Sequence, residues 1–248
     1  MFLTLLEMAV GGLAALLLTD WRGEATRGFL RLCAGCLVPL ALFAWLVPGT
    51  RPSPVDVWTL LLVLGSLAYF VLLIPATALT PRRLVGLAVV VGGVALLAYL
   101  CLTAPIAPAD RSLFAVAVLA DTLVVGASGV ALVLGHWYLV TPRLTAKPLR
   151  RLVDLLLVGL ALEAILVLWP LIAPSGPAGS AMFDDVVTWG RLFALVVLPV
   201  GMAIATRACC REWPRGRALQ AATGLLYVVV GSTLGGVMLG NMLRLSPA

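Results

Sequence analysis

Charge is what this chain has least of. Only 11% of its 248 residues are Asp, Glu, Lys or Arg, whereas a water-soluble domain carries about a quarter. The hydrophobic share is 62% and the mean hydropathy +1.11, so a soluble globular protein is excluded and the bilayer is the solvent. Lysine occurs once, at Lys147 in a predicted loop, which excludes a retinal-type Schiff base inside the apolar spans. Histidine also occurs once, at His136, so the chain by itself builds neither a bis-histidine haem site nor an all-histidine metal centre. No glycine-rich phosphate loop of the P-loop or dinucleotide-binding form is present. Ser128 precedes His136 by eight residues, roughly 12 Å along a helix, too far for a nucleophile and its base.

Cysteine is sparse and poorly placed for a secreted disulfide framework. Cys33, Cys36 and Cys101 fall inside apolar runs, and Cys209 and Cys210 are adjacent, which reads as small buried hydrophobes. The CAGC spacing is that of a thiol redox motif, without the surrounding pattern such motifs have. The first apolar run starts at Phe2 with no basic stretch before it and contains Glu7, so it is expected to be a span and not a cleaved leader.

What is present is long continuous apolar runs, not alternating ones. Every backbone group in hydrocarbon has to be satisfied within its own segment, so the predicted fold is an all-α, polytopic membrane helix bundle. At roughly 20 residues per crossing, eight spans are predicted, at 2–19, 29–47, 57–79, 84–103, 112–140, 152–173, 186–206 and 218–243. Pro48, Gly49, Pro52 and Pro54 mark one connection, Pro81 the next, Pro105 and Pro108 another, and Pro174, Gly176, Pro177 and Gly179 the longest.

The net charge of +6 comes from residues at span ends, not from one soluble face, so it points to topology and not to nucleic acid. Arg22, Arg27, Arg82, Arg83, Arg143, Lys147, Arg150, Arg151, Arg207, Arg211, Arg215 and Arg217 fall in alternate connections. The other side has Arg51, Arg111 and Arg244, with Asp184 and Asp185 in its long loop. Positive charge stays on the cytoplasmic side, so both termini are expected outside a cytoplasmic (inner) membrane.

A faint repeat accompanies this alternation. AALLLTDW ends the first span and VALVLGHW the fifth, aligning Trp21 with Trp137, and each is followed by a basic turn and an Arg-Leu start, Arg31-Leu32 and Arg151-Leu152. The expectation is a single transmembrane domain of two four-helix units in the same orientation, 1–103 and 112–245.

Ionisable side chains within the spans are the candidate functional residues, because each costs about 2.5–3.5 kcal/mol on insertion scales at mid-membrane. By axial rise, Asp121 lies roughly 13 Å and Glu163 roughly 15 Å from the same outer surface. Facing each other in a low dielectric, two carboxylates share a proton rather than both ionise. The alternative is that each bonds separately to a packing partner. At 100° per residue, Ser128, Gly135 and His136 each fall within about 60° of Asp121. That stripe is either a close helix contact through small residues or a protonable path ending at an imidazole, which titrates near neutrality. Glu7 and Arg191, each roughly 8 Å inside the outer boundary, are expected to pair, and Asp154 is expected to pair with Arg150 at helical spacing.

Eight spans in two units, with the small-residue first helix VGGLAALLL (10–18), resemble the membrane subunits of polysulfide-reductase type. The resemblance implies a quinol site served by partner redox subunits and carries over no individual residue. The expected function is therefore a membrane subunit binding a quinone-like or other small hydrophobic ligand in a larger redox complex, with Asp121, Glu163 and His136 handling protons. The alternatives are a proton-coupled small-molecule transporter and a non-catalytic assembly subunit.

Overall fold

The computed structural model describes residues 1–48, 53–75, 79–106, 110–141, 145–172, 189–211 and 216–245. Among them are eight long helices, which we number in order: α1 Phe2–Arg22, α2 Arg27–Leu46, α3 Ser53–Leu73, α4 Leu79–Thr103, α5 Arg111–Val140, α6 Lys147–Ile172, α7 Trp189–Cys209 and α8 Gly216–Leu245. Seven are long and apolar enough to cross a membrane; α6, which carries Lys147, Arg150, Arg151, Asp154 and Glu163, stands apart from those seven. The protein is thus a polytopic helical membrane bundle. The long outer connection with Asp184 and Asp185, and Gly49, Arg51, Pro52, Pro108, Arg143 and Arg215 of the other predicted connections, lie outside the described residues. Pro54 and Pro81, expected in loops, instead occupy the first turns of α3 and α4. A first turn tolerates proline because its N–H groups have no helical acceptor anyway.

The chain divides into two compact units, Met1–Thr122 and Leu123–Ala248, with the division inside α5. In the first unit α1 packs on α2 and α4, α2 on α3, and α3 on α4. Lipid tails are as apolar as leucine, so this packing rests on close approach rather than on expulsion of water. Glycines supply it. A Cβ at Gly93 would fall 2.7 Å from Val10, one at Gly65 2.6 Å from Val89, and one at Gly86 2.9 Å from Leu17, while one at Gly12 would run into Leu37. The sides of α2 and α3 away from these contacts carry exposed Leu32, Leu42, Phe43, Leu61 and Leu64, the surface a bilayer requires.

Turn chemistry sets the helix ends that matter for charge. α1 stops at Gly23, whose φ of 65° is left-handed and whose N–H donates to Asp20 O; glycine enters that conformation without the Cβ penalty. Three residues on, the Thr26 hydroxyl accepts from Phe29 N and starts α2.

In the second unit α6 packs on α7 and α7 on α8. Again small residues lie at the crossings, with a Cβ at Gly159 falling 2.8 Å from Val124 of α5 and one at Gly236 falling 2.7 Å from Leu195 of α7. Hydroxyls inside the helices satisfy themselves on the preceding turn, as in Thr223 to Leu219 O at 3.0 Å and Thr233 to Val229 O at 2.8 Å. Within α7 the residues Phe193–Val197 form a π-helical segment. Such single turns occur mostly inside α-helices and often at functional sites.

Candidate functional site: charges buried within the spans

Glu163 is completely buried on α6. Arg191 Nη2, two residues into α7, donates to its Oε2 at 3.2 Å, and the two side chains are 0% and 14% exposed. α8 lies against the guanidinium: a Cβ at Gly240 would fall 2.9 Å from Arg191 Nε. Asn241, the next residue, is also buried. One helical turn deeper, Leu195 meets Gly236, so the Gly236-Val-Met-Leu-Gly240 stretch of α8 faces both Leu195 and Arg191. The π segment begins at Phe193, two residues after this arginine. It changes the angular register of α7 between the charged turn and the rest of the helix.

Placing two charges in hydrocarbon is costly, and their attraction repays the cost only with good geometry. Here one guanidinium and one carboxylate meet across two helices. A strongly dipolar contact between α6 and α7 results.

The first unit has its own buried ion pair, at the opposite kind of position, where helices end. Asp20, in the last turn of α1, has a side chain with no exposure. Arg82, in the first turns of α4, grips it with two guanidinium nitrogens: Nε donates to Oδ2 at 3.1 Å and Nη2 donates to Oδ1. The Tyr69 hydroxyl of α3 donates to Oδ2 at 3.1 Å. Arg83 Nη2 donates to the Asp20 carbonyl at 2.6 Å, and its guanidinium lies 5.8 Å from the centre of the Trp21 ring. Arg31 donates to Leu73 O and Ile74 O at the end of α3, where a cation also meets the negative end of the helix dipole. Three helices are thereby tied together around one carboxylate.

The predicted residues separate on inspection. Glu163 and Arg191 come together, a contact that depth did not suggest. Glu7 is fully buried on α1 in the first unit, and Asp121 is fully buried on the part of α5 that belongs to that unit. Asp154 accepts from Arg207 Nε of α7 at 2.5 Å, an interhelical partner where spacing had suggested Arg150 of its own helix. Ser128 is buried; its hydroxyl donates to Val125 O at 3.2 Å and lies 3.4 Å from the Thr233 hydroxyl of α8. A Cβ at Gly135 would meet Thr223 at 3.2 Å, so the stripe on α5 makes a helix contact. His136 is exposed. Gly135 and His136 are 100° apart on the helix, so one faces the partner helix while the next faces outward.

Hydropathy does not single out Asp20 and Arg82, because each falls at a span end where polar residues are ordinary, nor Tyr69, which is an uncharged residue inside a predicted span. The TDW sequence at 19–21 was visible only as part of the repeat. Among the described residues there is no cluster of three or more His, Cys, Asp or Glu able to hold a metal. Against this geometry stands one finding from comparison with other proteins: no family model, curated protein or solved structure matches the chain.

Proposed function

We propose that the protein is a membrane subunit that binds a small hydrophobic molecule with a polar head, of the quinone class, within a larger redox assembly, and that the Glu163–Arg191 pair is the polar end of that site. The observation that carries this reading is the pair itself, a carboxylate and a guanidinium 3.2 Å apart inside apolar helices. Ionisable groups in such places are retained for a function more often than for stability, and the adjoining π segment supports the same reading. Binding elements of this kind use a few polar groups in an otherwise apolar surround to orient a ligand. The protein supplies no redox centre in this proposal, so electrons come from partner subunits.

The orientation belongs to the same proposal. The basic ends of both units, with Arg22, Arg27 and Arg82 in one and Lys147, Arg150 and Arg207 in the other, face the cytoplasm, and both termini face outward. So does the duplication of 1–103 in 112–245.

The test is mass spectrometry of a solvent extract from protein purified in mild detergent, against a lipid-only control. A near-stoichiometric quinone that is lost in Glu163→Gln supports the proposal. No enriched quinone in the native protein ends it. In that event the completely buried Glu7 and Asp121 favour the second reading, a proton-coupled carrier, for which proton flux in liposomes is the readout.

A further inference from the structure

The π turn of α7 traces to one residue. Pro199 is buried in the first turn of the α-helical stretch Leu198–Cys209. It has no N–H to give the Leu195 carbonyl, its acceptor in an uninterrupted α-helix, and its ring would crowd that carbonyl. The chain widens instead: Leu198 N–H donates to Phe193 O, five residues back, so the turn holds one residue more than an α-helical turn would. A glycine on α8 accommodates the wider backbone, since a Cβ at Gly236 would lie 3.2 Å from both the N and the Cα of Leu195.

The two sides of the π turn are held very differently. On the inner side Ala203 and Thr206 are buried, and Arg207 donates to Asp154 of α6 at 2.5 Å. On the outer side no residue from Trp189 to Ala194 is buried, and Trp189 and Phe193 are each 58% exposed. A Cβ at Gly190 would meet nothing within 4 Å. This loosely packed outer turn carries Arg191, and its bond to Glu163 ties the turn to α6. An extra residue in a helix can be passed along it. If the π turn tightens to α, that residue moves to the outer end, and everything outside the turn rotates by about 100° and shifts by about 1.5 Å. Arg191 lies outside the turn, so the rotation carries its guanidinium off Glu163.

We propose that the π turn is a conformational switch. In its wide form it presents Arg191 to Glu163; in its tightened form it withdraws the arginine and opens the carboxyl group to other partners. The inference rests on the reading of Glu163 and Arg191 as a functional pair but not on what the pair binds. Its test reads Glu163 and the α7 backbone and never quinone, so it stands or falls apart from the ligand.

The experiment follows labelling of Glu163 in the full chain, in mild detergent, by dicyclohexylcarbodiimide, with peptide mass mapping. This apolar reagent attacks protonated carboxyl groups and spares one engaged with a cation. Pro199→Ala restores the N–H and removes the crowding ring, so it favours the tightened form and is expected to raise the labelling rate at least about tenfold. Deleting the exposed Val197 from Pro199→Ala takes out the extra residue and returns Arg191 to its register in an unbroken α-helix. That variant is expected to label at the native rate. A Pro199→Ala rate no higher than native, or no recovery on deletion, overturns the proposal. Hydrogen exchange of the native protein tests it without any variant: amides 194–198 are expected to exchange at least about tenfold faster than amides 202–206 of the same helix, and equal protection overturns it.

Discussion

Replacing Arg82 by glutamine is the sharpest test of how the first unit holds its charge. The substitution removes the Nε and Nη2 donors from Asp20 and leaves a carboxylate with no solvent exposure and one remaining side-chain donor, the Tyr69 hydroxyl at 3.1 Å. The attraction lost is about 4 kcal/mol for unit charges 4 Å apart at an effective dielectric of 20. The measured cost of breaking a buried pair by removing one partner is about 3–5 kcal/mol. Arg82→Gln is therefore expected to destabilise by about 3–5 kcal/mol. Asp20→Asn should cost a similar amount, because it leaves a guanidinium with 5% side-chain exposure in place of the carboxylate. The double variant buries no net charge, so it should recover a large part of the loss, with a coupling energy of about 2 kcal/mol or more. Reversible unfolding in mixed micelles of mild detergent and dodecyl sulfate, followed by circular dichroism, reads all three. Additivity of the two single changes within about 0.5 kcal/mol would show that the two side chains are energetically independent, and the account of the pair given above would then be wrong.

Two further outcomes follow from the geometry of the second unit and are checked separately. Gly236→Ala is expected to destabilise by about 1–3 kcal/mol, since its Cβ would lie 2.7 Å from Leu195 Cβ and 3.2 Å from the α7 backbone. Gly231→Ala on the same helix meets nothing within 4 Å and is expected to gain up to about 1 kcal/mol from helix propensity; the same unfolding assay ranks them, and equal effects refute the close contact. The thiol of Cys210, just beyond α7, is pushed up to about 11, first by burial and then by neighbouring Cys209. A raised thiol pKa means less thiolate below it, about one part in a thousand at pH 8, so alkylation at Cys210, read by peptide mass mapping, should be slow there and accelerate as pH approaches 11. A rate at pH 8 typical of a free, exposed thiol refutes the assignment.

How far the sequence can be read depends on which coordinate of a side chain is in question. Hydropathy and helical rise report depth along one axis and leave open which side chains meet. By that arithmetic Glu163 lies roughly 15 Å and Arg191 roughly 8 Å from the outer face, yet the two side chains meet at 3.2 Å. An arginine side chain is long enough to cover the difference, so Cα depth is a poor guide to its partner. The angular argument on α5 met the same limit. A 60° window about Asp121 includes both Gly135 and His136, but a helix contact admits one and turns the other away. Asp154 repeats the lesson, since spacing along α6 suggests Arg150, whereas proximity across helices supplies Arg207.

By itself, the sequence determined that the chain is a multi-pass helical membrane protein, because burial of unsatisfied backbone in hydrocarbon excludes everything but helices for runs this long and apolar. The structure then set the helix ends, at Gly23 and Thr26 among others, through bonds between residues a few positions apart. Only the tertiary structure decided which charges meet. Asp20 with Arg82 and Glu163 with Arg191 join residues 62 and 28 positions apart, and the rotation of each helix about its axis, set by where glycines let neighbours approach, chose those partners.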